Sequence, residues 1–223
     1  MARDRSHSVR QLTIFPRGGF RRGAGRKPKG GSAHVTHARR SRLTRHDPVI
    51  VTTHLVSGLP NLRRERTLVT LRAALSAGSD RFGFRLVEFS VQSNHLHFLV
   101  EAEDARSISR GMQGLLVRVA KALNRVWERR GKVLRDRFHA RILRTPRDVR
   151  YALVYVLQNA RKHGAQLTGI DAHSSGPWFR GWRDRVARTP SPIAAARSWL
   201  LTTGWQRLGL LRSDEAPARA PDR

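Results

Sequence analysis

The chain has 223 residues, 39% of them apolar, which suits one moderate domain with extensions. It carries 44 Lys and Arg against 16 Asp and Glu, a net charge of +28; such an imbalance opposes compaction unless a polyanion binds, and nucleic acid is the default partner. There is no cysteine, which excludes disulfides, thiolate metal centres and cysteine nucleophiles, and no apolar run approaches the roughly 20 residues that span a bilayer.

Residues 1–46 read as a disordered basic tail: Asp4 is the single acid there, and "RGGFRRGAGRKPKGG" is rich in Gly and Arg and poor in apolar residues. Within it, "GRKPK" resembles the short arms that lie in the minor groove of AT-rich DNA, which makes Arg26, Lys27 and Lys29 candidate DNA contacts. A solvated tail without sequence preference is the alternative. The N-terminus lacks the sustained apolar core of a signal peptide, so the cytoplasm is the simplest compartment and no membrane partner is expected.

The first ordered element is the β-rich run "PVIVTTHLV", followed by the turn "SGLPN". Leu68, Leu71, Ala74 and Leu75 then fall at helical spacing, with Gly78 near the stop. "FRLVEFSVQ" is a second strand, Ser93 and Asn94 form a turn, and "HLHFLVEAE" is a third strand hairpinned to it. A long amphipathic helix follows, with Ser107 as N-cap and Gly131 as stop. "HARILRT" is a short fourth strand. "PRDVRYALVYVLQNARKHG" is a last helix, with Pro146 in its first turn and Gly164 at its end. The order β-α-β-β-α-β predicts an α+β, ferredoxin-like sheet over residues 47–164, with an added C-terminal helix. Residues 165–223 hold Trp178, Trp182, Trp199 and Trp205, and are expected to dock on that domain because so many exposed indoles would be costly; residues 213–223 look frayed.

In "SNHLHFLV", His95 and His97 share one strand face while Leu96, Phe98 and Val100 share the other. Two imidazoles side by side can bind a metal, bind a phosphate, or be incidental. On the last helix Tyr151, Tyr155 and Asn159 recur every four residues, about 6 Å apart along the axis per step, beside a core face of Val149, Leu153, Val156 and Ala160. Asn159 offers an amide oxygen suited to Mg²⁺ or Mn²⁺, and a tyrosine one turn away is placed to attack a phosphate. Tyrosines at this spacing also serve as packing residues with a wet hydroxyl.

"VQSNHLHFLVEAED" resembles the HUH motif of single-tyrosine transposases, in which two histidines flank a hydrophobic residue on a sheet strand. "YVLQNARKHG" is similar to the nucleophile helix of that family, particularly of REP-associated tyrosine transposases, and "WERRGKVLRDRFHARILRTPRDV" resembles the segment before that helix. One departure is visible: relatives usually carry Asn-Pro-Val-Arg where this chain has Asn159-Ala160-Arg161-Lys162, so the helix is expected to run on.

The resemblance implies Tyr155 as nucleophile and His95, His97 and Asn159 as ligands of a divalent Mg or Mn ion. The implied reaction is single-stranded DNA cleavage and strand transfer through a 5′-phosphotyrosine, at hairpin-bearing DNA. It allows a monomer or a homodimer, with the tyrosine serving its own subunit or a partner. Arg135, Arg137, His139, Arg141, Arg144, Arg161 and Lys162 are the basic residues expected to track the strand, with a solvated positive surface as the alternative. A catalytically inactive DNA or RNA hairpin-binding protein fits charge and fold equally well. A replication initiator or relaxase would commonly place its tyrosine before the histidines, and here Tyr155 follows them. His54 and His163 receive no role from spacing.

Overall fold

A computed structural model of the chain describes residues 43–135, 137–162, 169–184 and 189–217, all within the compact unit Val35–Arg223. The basic arm with Arg26, Lys27 and Lys29, and residues His163 and Gly164, lie outside the described residues, as does the Lys162 side chain. Strands β1 (Val49–His54), β2 (Asp80–Arg81), β3 (Phe84–Val91), β4 (His95–Ala102) and β5 (His139–Ile142) form one antiparallel sheet in the order β2-β3-β4-β1-β5. Helices α1 (Glu65–Ala77), α2 (Ala105–Val126) and α3 (Pro146–Leu157) connect and cover it. The fold is the expected α+β type: without β2, a short edge strand the sequence does not announce, the strand order is ferredoxin-like.

Both faces of the sheet are buried. On one, Val51, Phe89, Leu96, Phe98 and Val100 meet Leu68 and Leu71 of α1 and Met112 and Leu116 of α2. At Gly111 the α2 backbone lies so close to Phe84 that a Cβ would fall 2.1 Å from the ring, so only glycine fits this crossing. On the other face, Val87 and Leu99 pack against Leu153 and Val156 of α3 and against Phe179, Trp182, Leu201 and Trp205 of the C-terminal segment. A bulge between Leu86 and Glu88 interrupts the β3–β4 ladder, and Ser90 stands opposite His97 beyond it.

The helix ends differ from the sequence expectation in three places. The α2 N-cap is Asp104, whose side chain accepts from the Ser107 N–H at 2.6 Å, so Ser107 lies inside the helix; an aspartate in extended backbone competes well for that position. The helix stops at Val126 with Trp127 as C-cap, ahead of Gly131. Helix α3 opens as its sequence suggests: Thr145 caps it, accepting from the Asp148 N–H and donating to its carboxylate, with Pro146 in the first turn. It does not run through to Gly164. It closes at Leu157, Gln158 departs from helical backbone (φ −118°, ψ 18°), and Asn159–Lys162 form a separate short helix, α4.

The C-terminal segment holds that break in place. Gln158 Nε2 donates to the Ser213 carbonyl at 2.7 Å, and the Arg161 guanidinium donates to Gln158 Oε1, Ser213 O and Gly169 O. Arg150 forms a two-point ion pair with Glu215, at 2.6 and 3.0 Å. The region read as frayed therefore starts with an anchor: Ser213 is buried, and its N–H donates to Asp184. Two further ties lie at the sheet: Glu101 accepts from the backbone of Arg197 and Ser198, and buried Asp171 takes both guanidinium nitrogens of Arg63. Gln158→Ala removes two of the bonds at the break, and should lower the unfolding free energy in urea titrations by about 1–3 kcal/mol.

Candidate active site

The cross-strand register assembles a polar patch on the α3-facing side of the sheet. His139, Thr52, His97 and Ser90 form one row across β5, β1, β4 and β3, and His54 stands beside His95 in the next. The His54 and His95 rings stack at 5.1 Å, and the His95 and His97 rings meet edge-on at 4.8 Å. His97 is 2% exposed, and its Nδ1 shares a hydrogen bond with the Thr52 hydroxyl at 2.9 Å. His95 Nδ1 pairs with Asn94 Oδ1 at 2.8 Å. Partners of this kind on one ring nitrogen fix the orientation of an imidazole that ligates through the other.

Helix α3 brings Tyr155 onto this patch. Its ring sits edge-on to His97 with centroids 4.9 Å apart, half-buried. Tyr151 points elsewhere and is 55% exposed, so the expected stripe of Tyr151, Tyr155 and Asn159 runs from solvent into the protein. Asn159 is 0% exposed, and neither atom of its carboxamide has a hydrogen-bond partner. Leaving such a group unsatisfied costs about 1–3 kcal/mol. Among the described residues no group of three or more His, Cys, Asp or Glu side chains is placed to hold a metal ion, and the Asn159 amide oxygen is a hard donor of the type that suits Mg²⁺ or Mn²⁺.

The basic residues divide. Arg135, Arg137, His139, Arg141 and Arg144 are exposed on and beside the edge strand β5. Arg141 reaches Asp148 only at 3.7 Å, both side chains being well exposed. Arg161 instead spends its guanidinium on backbone carbonyls, a use that the sequence reading did not foresee.

Two residues beside the histidine pair, and one buried carboxyl outside the patch, escaped that reading. Thr52 and His54 alternate correctly in "VIVTTH", but only the pairing register puts them opposite His97 and His95. Burial holds the His54 imidazole below its ordinary value, helped by nearby His139 and Arg135. The carboxyl is that of Glu88 on β3, which is buried and accepts from the Ser175 hydroxyl. Burial pushes its carboxyl up to about 8, against a smaller opposite effect of the hydrogen bond from the Ser175 hydroxyl.

Residues 59–142 match the family model described as IS200-like transposase. That span includes the histidine strand and ends before α3, so Tyr155 and Asn159 lie beyond it. Among solved structures, the chain is similar to the REP-associated tyrosine transposase bound to a REP hairpin. The two share 18% identity with a TM-score of 0.47, over 58% of this chain and 75% of that one. No curated protein matches the sequence. Among the described residues, no helix is long and apolar enough to cross a membrane.

The Glu88 carboxyl yields a pH prediction. Its folded value lies above its unfolded one, so the folded chain keeps a proton that the unfolded chain releases, and stability falls as pH rises from about 4.5 to about 8. Glu88→Gln keeps an acceptor for Ser175 and should lose this component. The gap in melting temperature between variant and parent should widen in the variant's favour across that window.

Proposed function

We propose that this chain, whose residues 59–142 match the IS200-like transposase model, is a transposase of that kind that cuts and rejoins single-stranded DNA through a covalent bond to Tyr155. The observation that carries the proposal is the edge-on contact of the Tyr155 ring with His97, beside His95, with the unsatisfied carboxamide of Asn159 four residues on. His95, His97 and Asn159 would hold a divalent cation, Mg²⁺ or Mn²⁺, which when bound offsets negative charge on a phosphate.

The protein's own groups account for the rest. The row of exposed Arg135, Arg137, His139, Arg141 and Arg144 along β5 leads the DNA backbone to the patch. Lys162 and the arm residues Arg26, Lys27 and Lys29 are candidates to extend that path. The Tyr155 phenol oxygen attacks phosphorus and loses its proton; a Tyr155–phosphorus bond forms, the bond from phosphorus to the 3′-oxygen breaks, and that oxygen takes a proton and leaves as a 3′-hydroxyl. The 5′-phosphate remains on tyrosine. A 3′-hydroxyl of a second DNA end then attacks, the tyrosine ester breaks, and the phenol regains its proton. The number of phosphate ester bonds is conserved, so no nucleotide cofactor is required. Hairpin-bearing DNA is the substrate form suggested by the likeness of "YVLQNARKHG" to the REP-associated enzymes.

The test is adduct formation on hairpin-containing single strands with Mn²⁺, read as a shifted band on denaturing gels. Tyr155→Phe should form no adduct, whereas Tyr151→Phe should still trap the strand; the reverse outcome would move the nucleophile to Tyr151. EDTA should abolish the adduct and added Mn²⁺ restore it. Hairpin binding by a parent protein that never cleaves would identify a binding protein.

Tyr155 meets His97 of its own chain, which supports cleavage within one subunit. A mixture of His97→Ala and Tyr155→Phe proteins should therefore stay inactive; recovery of adduct in the mixture would show exchange of α3 between subunits.

A further inference from the structure

Tyr151 stands apart from the machinery above. It is one helical turn before Tyr155, about 6 Å along the axis. Its ring is 55% exposed, and among the described residues it makes no hydrogen bond and no ring contact. It lines a surface concavity of about 220 Å³ with Arg147, Arg150 and Leu208. Leu208, at 46% exposure, is one of the few large apolar side chains left half in solvent. The walls are fixed in advance: Arg150 is held by Glu215 and by the Gly209 carbonyl, and the 3-10 turn Gly204–Leu208 packs on α3. Arg147 lies exposed at the rim.

We propose that this concavity seats one unpaired base of the DNA strand, next to the phosphate that meets Tyr155. The inference rests on the strand-cleavage reading and extends it to a subsite. An exposed aromatic face stacks on any base, an apolar side chain nearby excludes water, and an arginine at the rim takes the flanking phosphate. Burying Tyr151 and Leu208 under a base removes apolar surface from water with little ordering cost, because helix and turn already hold both in place. The strong positive charge of the chain selects a polyanion over an apolar partner for this surface. One helical turn between the two tyrosines is comparable to the reach of one nucleotide, so the seated base belongs to a neighbour of the cleaved phosphate.

The experiment uses the full chain with Tyr155→Phe, so that binding is read without turnover. Oligonucleotides carrying single abasic sites, walked along the strand, are titrated against this protein and against its Tyr151→Ala derivative. The expected result is that Tyr151→Ala weakens binding about 5- to 100-fold. One abasic position should cost the parent a similar factor and cost Tyr151→Ala nothing further. Tyr151→Phe should retain most of the affinity, because the ring is kept. Arg147→Ala should lower the slope of log affinity against log salt, while Tyr151→Ala should not. A 5-iodouracil placed at the sensitive position should photo-crosslink to Tyr151.

Equal affinity of Tyr151→Ala and parent, or absence of any position coupled to Tyr151, would overturn the subsite. So would a change in oligomeric state on Tyr151→Ala with DNA binding intact, which would make this a protein-contact surface. The two readings fail separately: adduct without Tyr151 coupling removes the subsite alone, and Tyr151 coupling in a protein that forms no adduct removes the cleavage reaction alone.

Discussion

The candidate site depends on one constraint: the second face of the sheet must be covered by α3, and α3 must be held there. The apolar contacts of Leu153 and Val156 with Val87 and Leu99 press the helix onto the strands, but such contacts are not directional. Register along the helix comes from polar ties to the C-terminal segment, chiefly Arg150 to Glu215 and Gln158 to Ser213. A helix free to slide by one turn would put Tyr151 where Tyr155 now meets His97. The C-terminal segment is thus part of what sets the geometry of the candidate site.

The break at Gln158 separates two tasks that a continuous helix would couple. Tyr155 is carried by α3, while Asn159 begins a second short helix whose position is set by Gln158, Arg161 and Ser213. The Tyr155 phenol and the Asn159 carboxamide therefore have independent supports. The same arrangement explains why Asn159 can be wholly buried with its amide unsatisfied: surrounding bonds stabilise the backbone there, and the local cost falls on one side chain.

Much of the fold is legible in the sequence, because period-two apolar runs and period-3.6 stripes are written locally. The four main strands, the three helices and the start of α3 at Pro146 fall where the local signals put them. The pair His95/His97 and the spacing of Tyr155 and Asn159 are local too. What escaped depends on partners distant in the chain. Thr52 and His54 gain meaning only from their register against β4, and Arg161 finds its acceptor 52 residues away at Ser213. Glu88 reads as an ordinary strand glutamate until the fold buries it against Ser175, 87 residues away. Propensity favoured a helix running through Asn159, and tertiary bonds to Gln158 prevailed over it.

Two apolar layers back the sheet, and they are built from different parts of the chain. The layer with α1 and α2 contains the inward faces of the histidine-bearing strand and its neighbours; the layer with α3 is completed by residues after Phe179. Partial opening of a protein tends to follow such seams. If the outer layer loosened first, the imidazole pair would stay on an intact platform while the tyrosine swung clear. Under the proposed reaction, a DNA end esterified to that tyrosine would then travel with the helix, exposed to whichever second strand arrived.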